Sequence, residues 1–175
     1  METIAREAGY SRSAIYRQFA TRGELLRALV QRTTQRHAAD LLQRIPPGSG
    51  PVDLLVESMV MVASQLVHDQ LLQTIAGQTP DGTIASLIAN DADLTALVEP
   101  MIAAMLAQDA DAFRPGLHPH DLAQFFISTA LSMLLSVVPE SSDPEVARRY
   151  VQTFILPAIV NNPPAATQVY LSPKD

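Results

Sequence analysis

The chain has no cysteine among its 175 residues. That excludes a disulfide framework, a thiolate metal site and a cysteine nucleophile, and it agrees with a reducing compartment. Glycine is scarce as well, with seven residues, all at expected turns and caps. No phosphate-cradling glycine loop, nucleophile elbow or paired-carboxylate constellation is present, so nothing points to an enzyme. Strict apolar–polar alternation is missing, which argues against strands. No internal repeat is visible. Met1 leads straight into charged, motif-bearing sequence without a secretory leader, and a cytoplasmic protein is expected. Charge is sparse at 17% against 47% hydrophobic residues, a globular balance.

What charge there is lies unevenly. Residues 1–44 hold eight arginines against four acids (Glu2, Glu7, Glu24, Asp40), a net +4. Residues 45–175 hold four basic residues against fourteen acids, a net −10. A basic head on an acidic body suits a nucleic-acid-binding module joined to a domain that does not bind nucleic acid.

The head itself reads as two short helices around a tight turn. Ile4, Ala5 and Ala8 share one face of a first helix. Gly9 follows where a left-handed residue can end it, and Ser11 can cap a second helix. Ile15 and Phe19, four apart, point inward. The opposite face offers Ser13, Ala14 and Arg17, placed to meet base edges in a major groove. Ser11, Arg12, Tyr16, Gln18, Thr21 and Arg22 are placed for phosphates.

Beyond Phe19 every long segment has a helical period, and the class is all-α. Thr21-Arg-Gly-Glu24 fits a capping box and opens a helix running to about Arg44. Pro46-Pro-Gly-Ser-Gly-Pro51 ends it and marks the boundary between a 1–44 domain with its connecting helix and a 45–175 body. The body should contain an apolar, central helix from Val52 to about Ala76 and a turn at Pro80–Gly82. A short helix over Thr83–Asn90 and a helix from Asp93 to about Asp109, kinked or started by Pro100, should follow.

Leu122–Val138 is a helix of 17 uncharged residues. It is too short and too rich in Ser, Thr and Gln for a membrane span, and Pro139 stops it. Gln124, Ser128, Ser132 and Ser136 form a narrow polar stripe, and the rest must be buried on more than one side. Ser142-Asp-Pro-Glu145 caps a last helix that Pro157 bends or ends, and residues 165–175 read as a tail. His118, His120 and Asp121 read as a polar helix start rather than metal ligands, and His37 and His68 as ordinary helix residues, so neither metal nor cofactor is expected. The methionines, including Met59, Met61, Met101, Met105 and Met133, fit either core filler or the lining of an adaptable apolar pocket.

The string Ile-Ala-x-x-Ala-Gly-x-Ser-x-x-x-Ile-Tyr-x-x-Phe, completed by Arg22, Glu24, Leu25 and Leu26, resembles the DNA-binding signature of the tetracycline-repressor (TetR) family over Thr3 to about Leu29. Tyr10 and Gln18 depart from the family's usual small aliphatic and aromatic or His choices. The family also places a whole helix before this motif, whereas Met1 falls inside the second one. The resemblance implies a ligand-responsive regulator, expected to be a repressor. Tyr16 and Arg22 would touch the operator backbone. The last two long helices would form a homodimer interface, here Phe125, Ser128, Ser132, Tyr150 and Phe154. A small apolar effector would bind in the body, with Met59, Ala63, Leu66, Ile102, Met105, Phe113, Phe126 and Thr129 as candidate lining. A helical scaffold that has lost DNA binding is the rival reading, supported by the missing first helix. On that count residues 1–20 are expected to be loose.

Overall fold

The computed structural model describes residues 9, 11–46, 48–69 and 92–170. The expected first helix with Ile4 and Ala8, Tyr10, the turn at 80–82 and the helix over 83–90 lie outside these residues, as does most of the segment expected to be loose.

Every described element is helical. In chain order they are α1 (Arg12–Gln18), α2 (Arg22–Arg44), α3 (Pro51–Ser64), α4 (Ala92–Gln108), α5 (Pro119–Leu134) and α6 (Pro144–Tyr150). Helix α6 continues through a wide π turn (Val151–Ile155) into α7 (Leu156–Ile159). Short 3₁₀ turns at Leu66–His68 and Ala110–Ala112 follow α3 and α4. One antiparallel bridge joins Phe113 to Val160. None of the described helices is long and apolar enough to cross a membrane.

The central helix is α3, as its apolar circumference predicts. Pro51 sits in its first turn, and the Asp53 carboxylate accepts the N–H of Gly50 at 3.2 Å. Leu55, Val56, Met59, Val60 and Ala63 enter one core with Ile102 and Met105 of α4 and Leu122, Ala123, Phe126 and Met133 of α5. Ala147, Val151, Ile155, Leu156 and Ile159 complete it from the last helix. Fully burying each of the largest of these, Met133, Leu156 and Ile159, contributes about 1.5–3 kcal/mol. Arg148 forks onto both oxygens of Glu57, tying the last helix to α3; those bonds raise the guanidinium pKa above its ordinary value, outweighing burial, which lowers it.

Several boundaries differ from the sequence expectation for local reasons. Helix α3 stops at Ser64 and tightens into the 3₁₀ turn, so the expected reach to Ala76 fails within its described part. Helix α5 begins at Pro119 and stops at Leu134 rather than Val138. Ser136 turns left-handed at φ 56°, and the carbonyls of Ser132 and Met133 collect the N–H groups of residues 136–138. Ser136 therefore leaves the polar stripe. Pro100 lies inside α4 without ending it, and Met101 beside it is 52% exposed while Ile102 and Met105 are buried. The last helix is capped by Asp143, which accepts from Glu145 and Val146, rather than by Ser142.

Pro157 does not end the last helix. A proline ring clashes with the carbonyl four residues back, here that of Thr153. The π turn just before it, where Leu156 N–H reaches Val151 O, shifts that register. Residues 165–170 are not a free tail either. The Thr153 hydroxyl donates to Thr167 O at 3.3 Å, Arg149 Nε donates to Val169 O at 3.3 Å, and Val169 is 3% exposed. The described residues 165–170 are strapped back along the last helix.

Candidate nucleic-acid interface

The turn before α1 has the conformation its glycine predicts: Gly9 is left-handed at φ 71°. Ser11 then caps α1, its Oγ accepting Ala14 N–H at 3.2 Å. The same oxygen lies 3.2 Å from Ser13 Oγ. Phe19 closes the helix by donating its N–H to Ile15 O. Thr21 caps α2 by accepting Glu24 N–H at 3.1 Å. The Glu24 carboxylate reaches back one residue further than a standard capping box, to Ala20 N–H at 2.8 Å. Two reciprocal caps thus fix the angle between α1 and α2.

This brings the expected DNA-facing residues together on one short helix and the turn after it. Ser11, Arg12, Ser13, Tyr16, Arg17, Gln18 and Thr21 are exposed and Ala14 is half-buried. The Arg22 side chain lies outside the described ones. The Arg12 guanidinium sits 5.5 Å from the centroid of the Tyr16 ring, one turn on. Tyr16 is both partly packed and open, at 40% exposure. The capping hydroxyl of Thr21 uses its oxygen as an acceptor and can still donate its proton to a phosphate, and the Ser11–Ser13 hydroxyl pair retains one proton to donate. Ile15 and Phe19 on the inward side are half-buried, and Leu25 at the start of α2 is 5% exposed.

The other expected sites lie in the body. Met59, Ala63, Ile102, Met105, Phe113 and Phe126 come together in the main core, and Leu66 is buried in the turn after α3. Thr129 does not join them: it is half-buried, and its hydroxyl donates to Phe125 O within its own helix. Of the residues expected between subunits, Phe125 and Phe154 are 41% and 57% exposed. Ser128 is exposed, and Ser132 and Tyr150 are half-buried. Gln124, the first residue of the polar stripe, turns instead to α4 and donates to the buried Thr95 hydroxyl at 2.8 Å. His120 pairs with Glu99 of α4 at 2.9 Å.

Sequence reasoning missed two features. Asp69 collects Arg36 and His37 of α2. Leu135 and Val137 after α5 are exposed, Val137 by 69%. The first carried no sequence signal, because its partners lie 32 and 33 residues away. For the second, the signal was the apolar run itself, which overshoots the helix.

Comparison with known proteins agrees with this geometry. The family model for bacterial regulatory proteins of the tetR family matches residues 1–29, from the start of the chain through α1 into α2. Neither the curated proteins nor the solved structures contain a significant match to the chain. Its N-terminal head, with Gly9, Ser11 and Thr21 setting the turn and the two caps, is thus similar to the N-terminal DNA-binding region of bacterial regulatory proteins of the tetR family.

Proposed function

We propose that this regulator is a ligand-responsive repressor that works as a homodimer. Its two heads hold operator DNA, and a small apolar effector entering the body releases it. The observation that carries the DNA side is the α1 face: Ser13, Arg17 and Gln18 exposed beside Ala14, immediately after a left-handed glycine turn, on a net-basic head. A face small at its start and donor-rich beyond admits close approach to base edges.

Two exposed phenylalanines, Phe125 and Phe154, on otherwise well-packed helices support a partner surface. The methionine-bearing core around Met59 and Met105 supports an adaptable effector site, since methionine repacks at little cost. Successive major-groove sites on one face of DNA lie roughly 34–36 Å apart, so a small change in head separation suffices for release.

The test is selection from a pool of random duplexes, followed by a thermal-shift screen of apolar compounds. A palindromic sequence that is bound tightly, and released by a compound that raises the melting temperature, is the expected result. Binding to every duplex alike, with no enriched sequence, would sink the repressor reading.

A further inference from the structure

Helix α2 leaves the head, touches α3 of the body and carries one inward stripe. Leu25, Leu29, Thr33 and His37 are four apart and all buried or half-buried. At the body end of that stripe, Asp69 follows the 3₁₀ turn that finishes α3, its backbone held by an N–H bond to Leu66 O at 3.0 Å. Its carboxylate Oδ2 lies 2.5 Å from Arg36 Nη2 and 3.2 Å from His37 Nε2. The Asp69 side chain is 8% exposed and that of His37 15% exposed, while Arg36 remains 58% exposed.

Consecutive residues of an α-helix point about 100° apart. A carboxylate gripped by both Arg36 and His37 therefore resists rotation of α2 about its axis as well as sliding along it. A packed apolar stripe alone resists these less, because one turn of similar side chains can replace another.

We propose that Asp69 is the fastening point that sets the position of the head's long helix on the body. It would couple α2 to the core by charge. Asp69 is carried by the far end of α3, whose Met59, Val60 and Ala63 pack in the main core with α4 and α5. A repacking of that core displaces the end of α3 and, with it, Asp69. The carboxylate then drags α2 or lets it go. Thr21 and Leu25, at the other end of α2, carry the motion to α1. The consequence for DNA rests on the regulator reading above; the fastening itself does not.

The absence of cysteine makes the test simple, because two introduced cysteines are the only sites that take a thiol-directed spin label. Arg32→Cys on α2 and Ala107→Cys on α4, both at exposed positions, report the placement of α2 on the body. Labelled chains diluted into an excess of unlabelled chains give distances within one protomer. The distance distribution is compared among this labelled parent, Asp69→Asn, Arg36→Ala and the two combined. Either single change is expected to shift and broaden the distribution, and the combination to do no more than one alone.

An unchanged distribution in Asp69→Asn, or effects that simply add, would overturn the proposal. If Asp69→Asn does not fold, Arg36→Ala, at a mostly exposed side chain, decides the matter by the same measurement. Operator affinity measured in parallel separates the two readings. Unchanged distances sink the fastening whatever happens to DNA. Broadened distances in a protein that binds no DNA in any form uphold the fastening and sink the regulator reading.

Discussion

Phe154 is the most informative single residue of the proposed subunit interface. It is 57% exposed, although it stands on a helix whose Val151 and Ile155 are buried. A phenylalanine presents about 150–250 Å² of surface, so roughly 100 Å² of it remains wet in the protomer. At about 25 cal/mol per Å², covering that area contributes about 2.5 kcal/mol. A two-fold interface uses the same residue twice, which brings the total to about 5 kcal/mol, or more than three decades in dissociation constant. Partial coverage makes this an upper bound. Phe154→Ser is therefore expected to raise the dimer dissociation constant by about two to three decades in sedimentation equilibrium. The protomer should lose little, chiefly the edge-on contact with Tyr150 at 5.3 Å, which is worth about 0.5–1.5 kcal/mol. Leu156→Ala is the contrasting variant. Leu156 is 2% exposed, so the change should cost about 2–5 kcal/mol of folding stability. A Phe154→Ser protein with the parent's dissociation constant would show that this face of the last helix meets no second copy.

Further outcomes are expected elsewhere in the chain. Arg22→Ala should weaken binding to operator and random DNA by similar factors and flatten the log–log salt dependence by about 0.9 per contact, about 1.8 for a symmetric dimer; loss confined to the operator would give Arg22 a base-reading role instead. Gly9→Ala meets open space but keeps a left-handed backbone at φ 71°, so it should destabilise the head by about 1 kcal/mol or more. Operator binding should fall while the melting of the body stays put, and undiminished binding would mean the turn tolerates strain. Burial holds the Tyr170 phenol neutral, and Tyr150 and Glu140 disfavour the phenolate, so its pKa is raised above 10.0. Its contribution to holding the strap is complete below pH 10.0 and is lost as pH rises through the folded value. Proteolysis of residues 161–170 in the folded protein should accelerate on that alkaline side, and a rate that stays flat there would free Tyr170 from the role.

The head was legible because its signals are local. Gly9, Ser11 and Thr21 each act on backbone groups within four residues, so the turn and both caps follow from order along the chain. The same holds for the length of α2, bounded by Thr21 and the prolines at 46, 47 and 51. The body was legible only as inward faces. Which helix meets which depends on pairs far apart in sequence: Gln124 with Thr95 across 29 residues, Asp69 with Arg36 across 33, Arg148 with Glu57 across 91. Hydrophobic period states that a residue turns inward, not what it finds there. Even the period misleads where carbonyls are recaptured, as those of Ser132 and Met133 are, and Ser136 then leaves a stripe it shares by spacing. The difference has a functional side. A face carried on a single helix, such as that of Ser13, Arg17 and Gln18, can be read from spacing alone. A coupling between head and body must join distant segments, so the residues that would carry it, Asp69 first among them, are those that one-dimensional reasoning passes over.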